Sequence, residues 1–172
     1  MPNLVLIQSS LSKGSKTSLL IDETVKVLKE KNIDFEVIDL RNIEMQFCDG
    51  RKIEEYNSDL QKAYKLIESA KGYIIGMPVY CYSLSGVLKN FLDITCAAME
   101  GKVAGIVCNA GGAMSYLASA DLMKILSYEV HVLSVQPTVY ASGGDFENGK
   151  IKNEKVFKKI SNMVENLMGK MD

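Results

Sequence analysis

Five short runs rich in Val, Ile and Leu recur along the chain, at Leu4 to Gln8, Phe35 to Leu40, Gly72 to Gly76, Val103 to Asn109 and Val130 to Gln136, with longer stretches of helical spacing between them. In the first such stretch, Ser15 to Lys31, residues Leu19, Leu20, Thr24, Val27 and Leu28 share one stripe, while Lys26, Lys29, Glu30 and Lys31 lie off it. That is the pattern of a helix packing one face on a sheet. Leu60 to Ala70 repeats it, and Ser85 to Ala98, Met114 to Leu126 and Val156 to Met168 supply three more helices. Strand and helix alternating five times predict an α/β fold, because parallel neighbours require long right-handed crossovers and place helices on both faces. Strands buried on both faces read as continuous apolar runs, as these do. The expected architecture is a doubly wound, five-stranded parallel sheet of order 2-1-3-4-5.

With 172 residues, the chain can bury a substantial core without metals or disulfides, and one domain spanning residues 1–172 is expected. Lys and Arg number 20 against 21 for Asp and Glu, a net charge of −1. No large single-sign field is therefore available for nucleic acid or an anionic membrane, which favours small-molecule chemistry. The apolar runs are too short to span a bilayer. Cys48, Cys81, Cys96 and Cys108 form no CxxC pair, and Met1-Pro2-Asn3 opens without a secretory leader, so a reduced cytoplasmic protein is expected. Two long connections break the alternation, Arg41 to Asn57 and Ser142 to Lys155.

Ligands of open α/β sheets bind outside the carboxyl ends of the strands, where the loops after strands one, three and four meet in the 2-1-3-4-5 order. The first of these loops, Gln8 to Ser18, is hydroxyl-rich and opens a helix. Unpaired N–H groups and the positive helix end favour a phosphate there, and Ser10, Ser12, Ser15 and Thr17 add donors. Its single Gly14 excludes the dinucleotide fingerprint, and the Gly-Lys-Ser/Thr ending of a Walker loop is lacking. The same residues also read as ordinary N-caps in a solvated loop. After the third strand, Pro78 fixes an extended turn carrying Tyr80 and Tyr82. After the fourth, the paired glycines of Asn109-Ala110-Gly111-Gly112 permit positive φ and close backbone approach. Taken singly, these loops also read as a strand end, packing residues and a tight turn. Converging, they form a site for a phosphorylated planar ring, with FMN the economical candidate.

The Ser10–Thr17 loop, the Pro78-Val79-Tyr80-Cys81-Tyr82-Ser83 turn with the following Ser85 to Asp93 helix, and the Asn109–Gly112 turn together resemble the flavodoxin-like NAD(P)H-dependent FMN reductases, relatives of quinone and azo-dye reductases and of iron-sulfur flavoproteins. The resemblance runs over nearly the whole chain. It implies a flavodoxin-like fold and an FMN phosphate on Ser10, Ser15 and Thr17, with Ser12 and Lys16 as neighbours. It also implies ring contacts from Pro78, Val79, Tyr80 and Cys81 through backbone, with Tyr80 or Tyr82 beside the ring or at the entrance. Asn109, Ala110, Gly111 and Gly112 match the third flavin-contacting loop. Val79 and Cys81 stand where many members carry Glu and Asn, which changes the polar contacts offered to the ring edge. Met45 to Arg51 lies where iron-sulfur relatives place a cysteine cluster, but Cys48 is alone there, and about four thiolates are needed. Cys48 reads as an ordinary thiol.

The implied activity is hydride transfer from NADPH or NADH to flavin N5, then to a second small-molecule electron acceptor such as free flavin or a quinone, in a ping-pong cycle. Backbone N–H groups of residues 79 to 82 and 110 to 112 would tune the ring, and no acid-base side chain is required. His131, inside an apolar stretch, reads as structural. A homodimer or homotetramer is implied. The competing readings are an FMN electron carrier serving a protein partner and a flavin-free binding or regulatory domain on the same fold.

Overall fold

The structure, a computed structural model, describes residues 3–171; Met1 and Pro2, part of the segment read as lacking a leader, lie outside the described residues. In chain order the elements are β1 (Leu4–Gln8), α1 (Lys16–Glu30), β2 (Phe35–Asp39), α2 (Ser58–Ser69), β3 (Gly72–Tyr80), β4 (Ser83–Leu84) and α3 (Gly86–Thr95). There follow β5 (Val103–Asn109), α4 (Ser119–Val130), β6 (Leu133–Ser134), β7 (Val139–Ala141), β8 (Phe146–Glu147), β9 (Lys150–Ile151) and α5 (Glu154–Met171). The main sheet runs β2-β1-β3-β5, with β6 and β7 pairing in turn along the outer edge of β5, all parallel. This is the expected 2-1-3-4-5 order with its last position divided. Register brings Gly76 opposite both Gln8 and Val107, so β1, β3 and β5 end close together.

Alternation along β1 shows why both faces must be covered. Val5 and Ile7 join the core under α2, α3 and α4, including Leu60, Ile67, Phe91, Leu122 and Leu126. Leu4 and Leu6 face the opposite way, into the core formed with α1 and α5 through Leu20, Leu28, Ile160 and Leu167. Each such fully buried side chain contributes about 1.5–3 kcal/mol by leaving water.

The structure departs from the sequence expectation in three places. A strand over Val130 to Gln136 does not form: α4 continues through Val130, and the strand is split into β6 and β7. Pro137 lies in the gap and has no N–H to donate to a ladder. The helix expected from Met114 begins at Ser119, after a 3-10 turn over Ala113–Ala118. The third strand runs past Gly76 to Tyr80 and folds back as the antiparallel β4. Beyond Gly76 it has lost its β1 neighbour, an edge condition in which Pro78 is tolerated.

At the opposite end of the sheet, Lys102 donates from Nζ to the carbonyls of Glu68 at 2.8 Å, Ala98 at 3.1 Å and Ile67 at 3.2 Å. Burial lowers its pKa, with Glu68 opposing. Among the described residues, no helix is long and apolar enough to cross a membrane.

Candidate functional site

The loop after β1 is braced before it reaches α1. Gln8 accepts the Ser10 N–H on Oε1 at 2.5 Å and donates from Nε2 to the Ser10 carbonyl and to Asp39 Oδ1, while Ser9 Oγ donates to the Gly76 carbonyl at 2.6 Å. Burial raises the Asp39 pKa, but hydrogen bonds from Arg41 outweigh it and hold the carboxyl below its ordinary value. Ser15 is the N-cap of α1, in an extended conformation, with Oγ accepting the Ser18 N–H at 3.0 Å. The N–H groups of Lys16 and Thr17 open the first turn and have no intrahelical acceptor. Thr17 Oγ1 donates to Asn109 Oδ1 at 2.5 Å, tying the start of α1 to the end of β5. Ser10 and Ser15 are buried, whereas Ser12 is exposed.

Past Tyr80, the chain reverses through Cys81 (φ 49°) and Tyr82 (φ 62°), both left-handed, as a two-residue hairpin with the twist of its strands requires. Side chains other than Gly, Asn or Asp are strained there. Tethers hold the turn: Tyr82 donates from its hydroxyl to the Met114 carbonyl at 2.8 Å, and Ser83 Oγ to Asp121 Oδ2 at 2.7 Å. Tyr80 and Tyr82 are each about half exposed.

The loop after β5 corrects the expectation for its glycines. Neither Gly111 nor Gly112 has positive φ; Gly112 is extended, at φ −107°. A Cβ at either would meet nothing within 4 Å, so what they provide is open space. The Ala110 N–H is also unavailable to a ligand, because it donates to the Ala141 carbonyl at 3.2 Å. Two residues that sequence reasoning missed hold the next carbonyls: Gly143 N–H donates to Gly111 O at 3.0 Å, and the Tyr140 hydroxyl donates to Gly112 O. A side chain at Gly143 would push this loop aside, since a Cβ there would stand 2.7 Å from Gly111 O. Burial, helped by Cys108, raises the Tyr140 pKa against hydrogen bonding from Ser115, so the phenol stays a donor. No local pattern marks either residue; both act across the fold.

Ser10, Ser12, Gly14, Ser15, Lys16, Thr17, Pro78, Val79, Tyr80, Asn109, Ala110 and Gly111 line a single cleft, open to solvent. Cys81, Tyr82 and Gly112 stand outside that lining. The Lys16 ammonium lies 5.3 Å from the centre of the Phe146 ring, which turns it toward the β8 side. Free helix-start amides beside hydroxyls suit a phosphate, and the space over Gly14 and Gly111 beside Pro78 to Tyr80 suits a flat ring. His131 is exposed rather than buried in the apolar run; it ends α4 in a left-handed conformation and contacts Glu100 Oε1 at 2.6 Å, away from the cleft. Cys48 is exposed, its N–H donating to Asn90 Oδ1 and its thiol facing the Asp93 carbonyl at 3.7 Å.

Comparison with known proteins is consistent across sequence and fold. A curated NAD(P)H-dependent FAD/FMN reductase of Geobacillus thermodenitrificans is 32% identical over 157 residues, covering 90% of this chain and 83% of its own. An FMN-dependent NADPH-azoreductase of Staphylococcus saprophyticus is 30% identical over 116 residues, covering 64% of this chain and 62% of its own. A flavodoxin from the domain Archaea superposes with a TM-score of 0.67 at 14% identity, covering 99% of both chains, and the fold is flavodoxin-like. The model of the NADPH-dependent FMN reductases matches residues 2–147, and the chain belongs to that family of enzymes, which work with FMN and NAD(P)H.

Proposed function

We propose that the cleft holds FMN with its phosphate against Ser10, Ser12, Ser15, Lys16 and Thr17 and its ring between Pro78–Tyr82 and Asn109–Gly112. The chain then reduces a small acceptor, free flavin or a quinone, at the expense of NADPH or NADH. The observation that carries this reading is the meeting of loops from β1, β3 and β5 in one cleft at the carboxyl ends of the strands. When bound, FMN supplies hydride acceptance and donation at N5. The protein's share is to grip the phosphate, to hold flat walls against the ring, and to leave one side open. One open cleft also supports a ping-pong cycle, in which nicotinamide leaves before the acceptor enters.

Residues 1–172 act as one domain in this reading. Tyr80, which lines the cleft, and Tyr82, tied to the neighbouring Met114, are large exposed side chains, as are Met114, Tyr116 and Leu117, and they support a homodimer or homotetramer. Four free cysteines and no disulfide among the described residues support a cytoplasmic setting.

Titration of apoprotein with FMN, followed by anaerobic mixing with NADPH or NADH, tests the proposal; bleaching of the flavin bands within the mixing series is expected. In Ser15→Ala/Thr17→Ala, FMN binding should weaken by about 1–3 kcal/mol for each contact left unmet. An unchanged FMN affinity in that double variant would remove the phosphate assignment.

A further inference from the structure

We infer that Tyr140 and Gly143 are positioning residues that aim two successive backbone N–H groups, those of Gly112 and Ala113, at the ring site and thereby set the reduction potential of the bound flavin. The inference rests on the FMN assignment above. A trans peptide is planar, so each N–H points opposite to the carbonyl of the same unit. The Gly111 carbonyl is taken by the Gly143 N–H at 3.0 Å, and the Gly112 carbonyl by the Tyr140 hydroxyl. Both anchors belong to β7 and the segment that follows it. Since β5 lies between β3 and β7, N–H groups directed away from the β7 side are directed toward β3, where Pro78 and Tyr80 form the facing wall.

These two N–H groups have no partner among the described residues, in contrast to that of Ala110. The absence of side chains at Gly111 and Gly112 lets a ligand approach them, because a Cβ at either would fill only open space. Donors fixed before the ligand arrives stabilise negative charge without reorganising. Two-electron reduction adds negative charge to the ring, so the pair favours the reduced form over the oxidised one and raises the potential. Among the described residues, the Gly111 carbonyl has Gly143 and the Gly112 carbonyl has Tyr140 as partner, which is why loss of either tie should turn its peptide.

The test is a pair of measurements on FMN-loaded protein and on apoprotein: the midpoint potential against reference dyes, and the dissociation constant for oxidised FMN by fluorescence quenching. Their cycle with free FMN gives the affinity for the reduced form. Tyr140→Phe should weaken reduced FMN about tenfold more than oxidised FMN, a fall of about 30 mV in the two-electron potential. Gly143→Ala, whose Cβ presses on the Gly111 carbonyl, should move the potential in the same direction; it decides alone if Tyr140→Phe does not fold. A merely structural role would weaken both forms equally and leave the potential where it was, and that result in loaded, folded protein overturns the inference. Parent protein that takes up no FMN would instead defeat the functional reading, and this inference with it.

Discussion

Replacing Gly76 by alanine probes the contact on which the first turn of α1 rests. A Cβ at Gly76 would lie 2.9 Å from Ile21 Cγ1, 3.0 Å from Ile21 Cδ1 and 3.0 Å from Thr17 Cγ2. Thr17 and Ile21 are 1% and 2% exposed, so neither has room to swing aside, and α1 must move as a body. Overpacking of this kind costs about 1–3 kcal/mol, and at this chain length each kcal/mol lowers Tm by about 2–4 °C, so a fall of about 2–12 °C is expected. The same movement carries Thr17 off Asn109 and disturbs Ser9, whose N–H and hydroxyl both donate to the Gly76 carbonyl. Displacing the start of α1 also removes Thr17 from the proposed phosphate site, and one phosphate contact left unmet costs about 1–3 kcal/mol of binding, or roughly five- to 150-fold in FMN affinity. Thermal unfolding of apoprotein and FMN fluorescence titration read the two effects. Gly169→Ala provides the contrast: it lies in α5 with no atom within 4 Å of the added carbon, and should stabilise by about 0.5–1 kcal/mol. A Gly76→Ala protein with the parent's Tm and the parent's FMN affinity would refute the seating of α1 on β3.

Asp145 bears on the same region through pH. Burial raises its pKa, but hydrogen bonds from Asn153 and Ser142 outweigh that and leave the carboxyl below its ordinary value. Its stabilisation is therefore complete above the unfolded value of about 3.9 and is lost as pH falls through the lower folded value. The Tm advantage of the parent over Asp145→Asn should shrink steadily as an acid series passes below about pH 4, and an advantage that stays constant there would contradict it. Lys102→Met removes a donor shared by the carbonyls of Ile67, Glu68 and Ala98, of which Ile67 and Ala98 keep the Tyr73 hydroxyl, and should cost about 0.5–1.5 kcal/mol in urea unfolding while leaving FMN affinity unchanged, because it sits at the far end of the sheet. Cys81→Asn should raise stability by about 0.5–1 kcal/mol, since Asn tolerates the left-handed conformation that Cys81 is held in; a lowered Tm would show that the turn is not strained.

What the sequence displays of the fold is its periodic part. Val5 and Ile7 against Leu4 and Leu6 can only be a strand with two covered faces, and the stripe along α1 needs no tertiary knowledge to recognise. Structure and pattern part where a non-local partner overrides the periodicity. Val130 to Gln136 is apolar enough for a strand, yet α4 buries Val130 and Pro137 interrupts the ladder, so the edge of β5 is covered in two pieces. His131 sits in that apolar run because it terminates a helix, a role defined by φ of 51° and invisible to hydropathy. The hairpin at Cys81 and Tyr82 lacks the Asn-Gly signal of such turns; tethers to Met114 and Asp121 supply the closure that local sequence does not.

The cleft follows the same division, and the reason is that much of its equipment is backbone. Residue identity announces where a backbone is permitted to come close, as at Gly111 and Gly112, but not which way its amides face. Direction is supplied by partners remote in sequence: Asn109 holds Thr17 across 92 positions, and Tyr140 holds Gly112 across 28. The start of α1 is easier to place, because Ser15 caps it through Ser18, three residues on, and needs no remote partner. The orientation of the wall after β5 is not, since it depends on a tyrosine and a glycine whose neighbours in sequence serve a different edge of the sheet. It follows that a substitution of Val79, which lines the cleft but makes none of these ties, should leave the loop after β5 in place, whereas changes at Tyr140 or Gly143 should turn its peptides with every lining side chain intact.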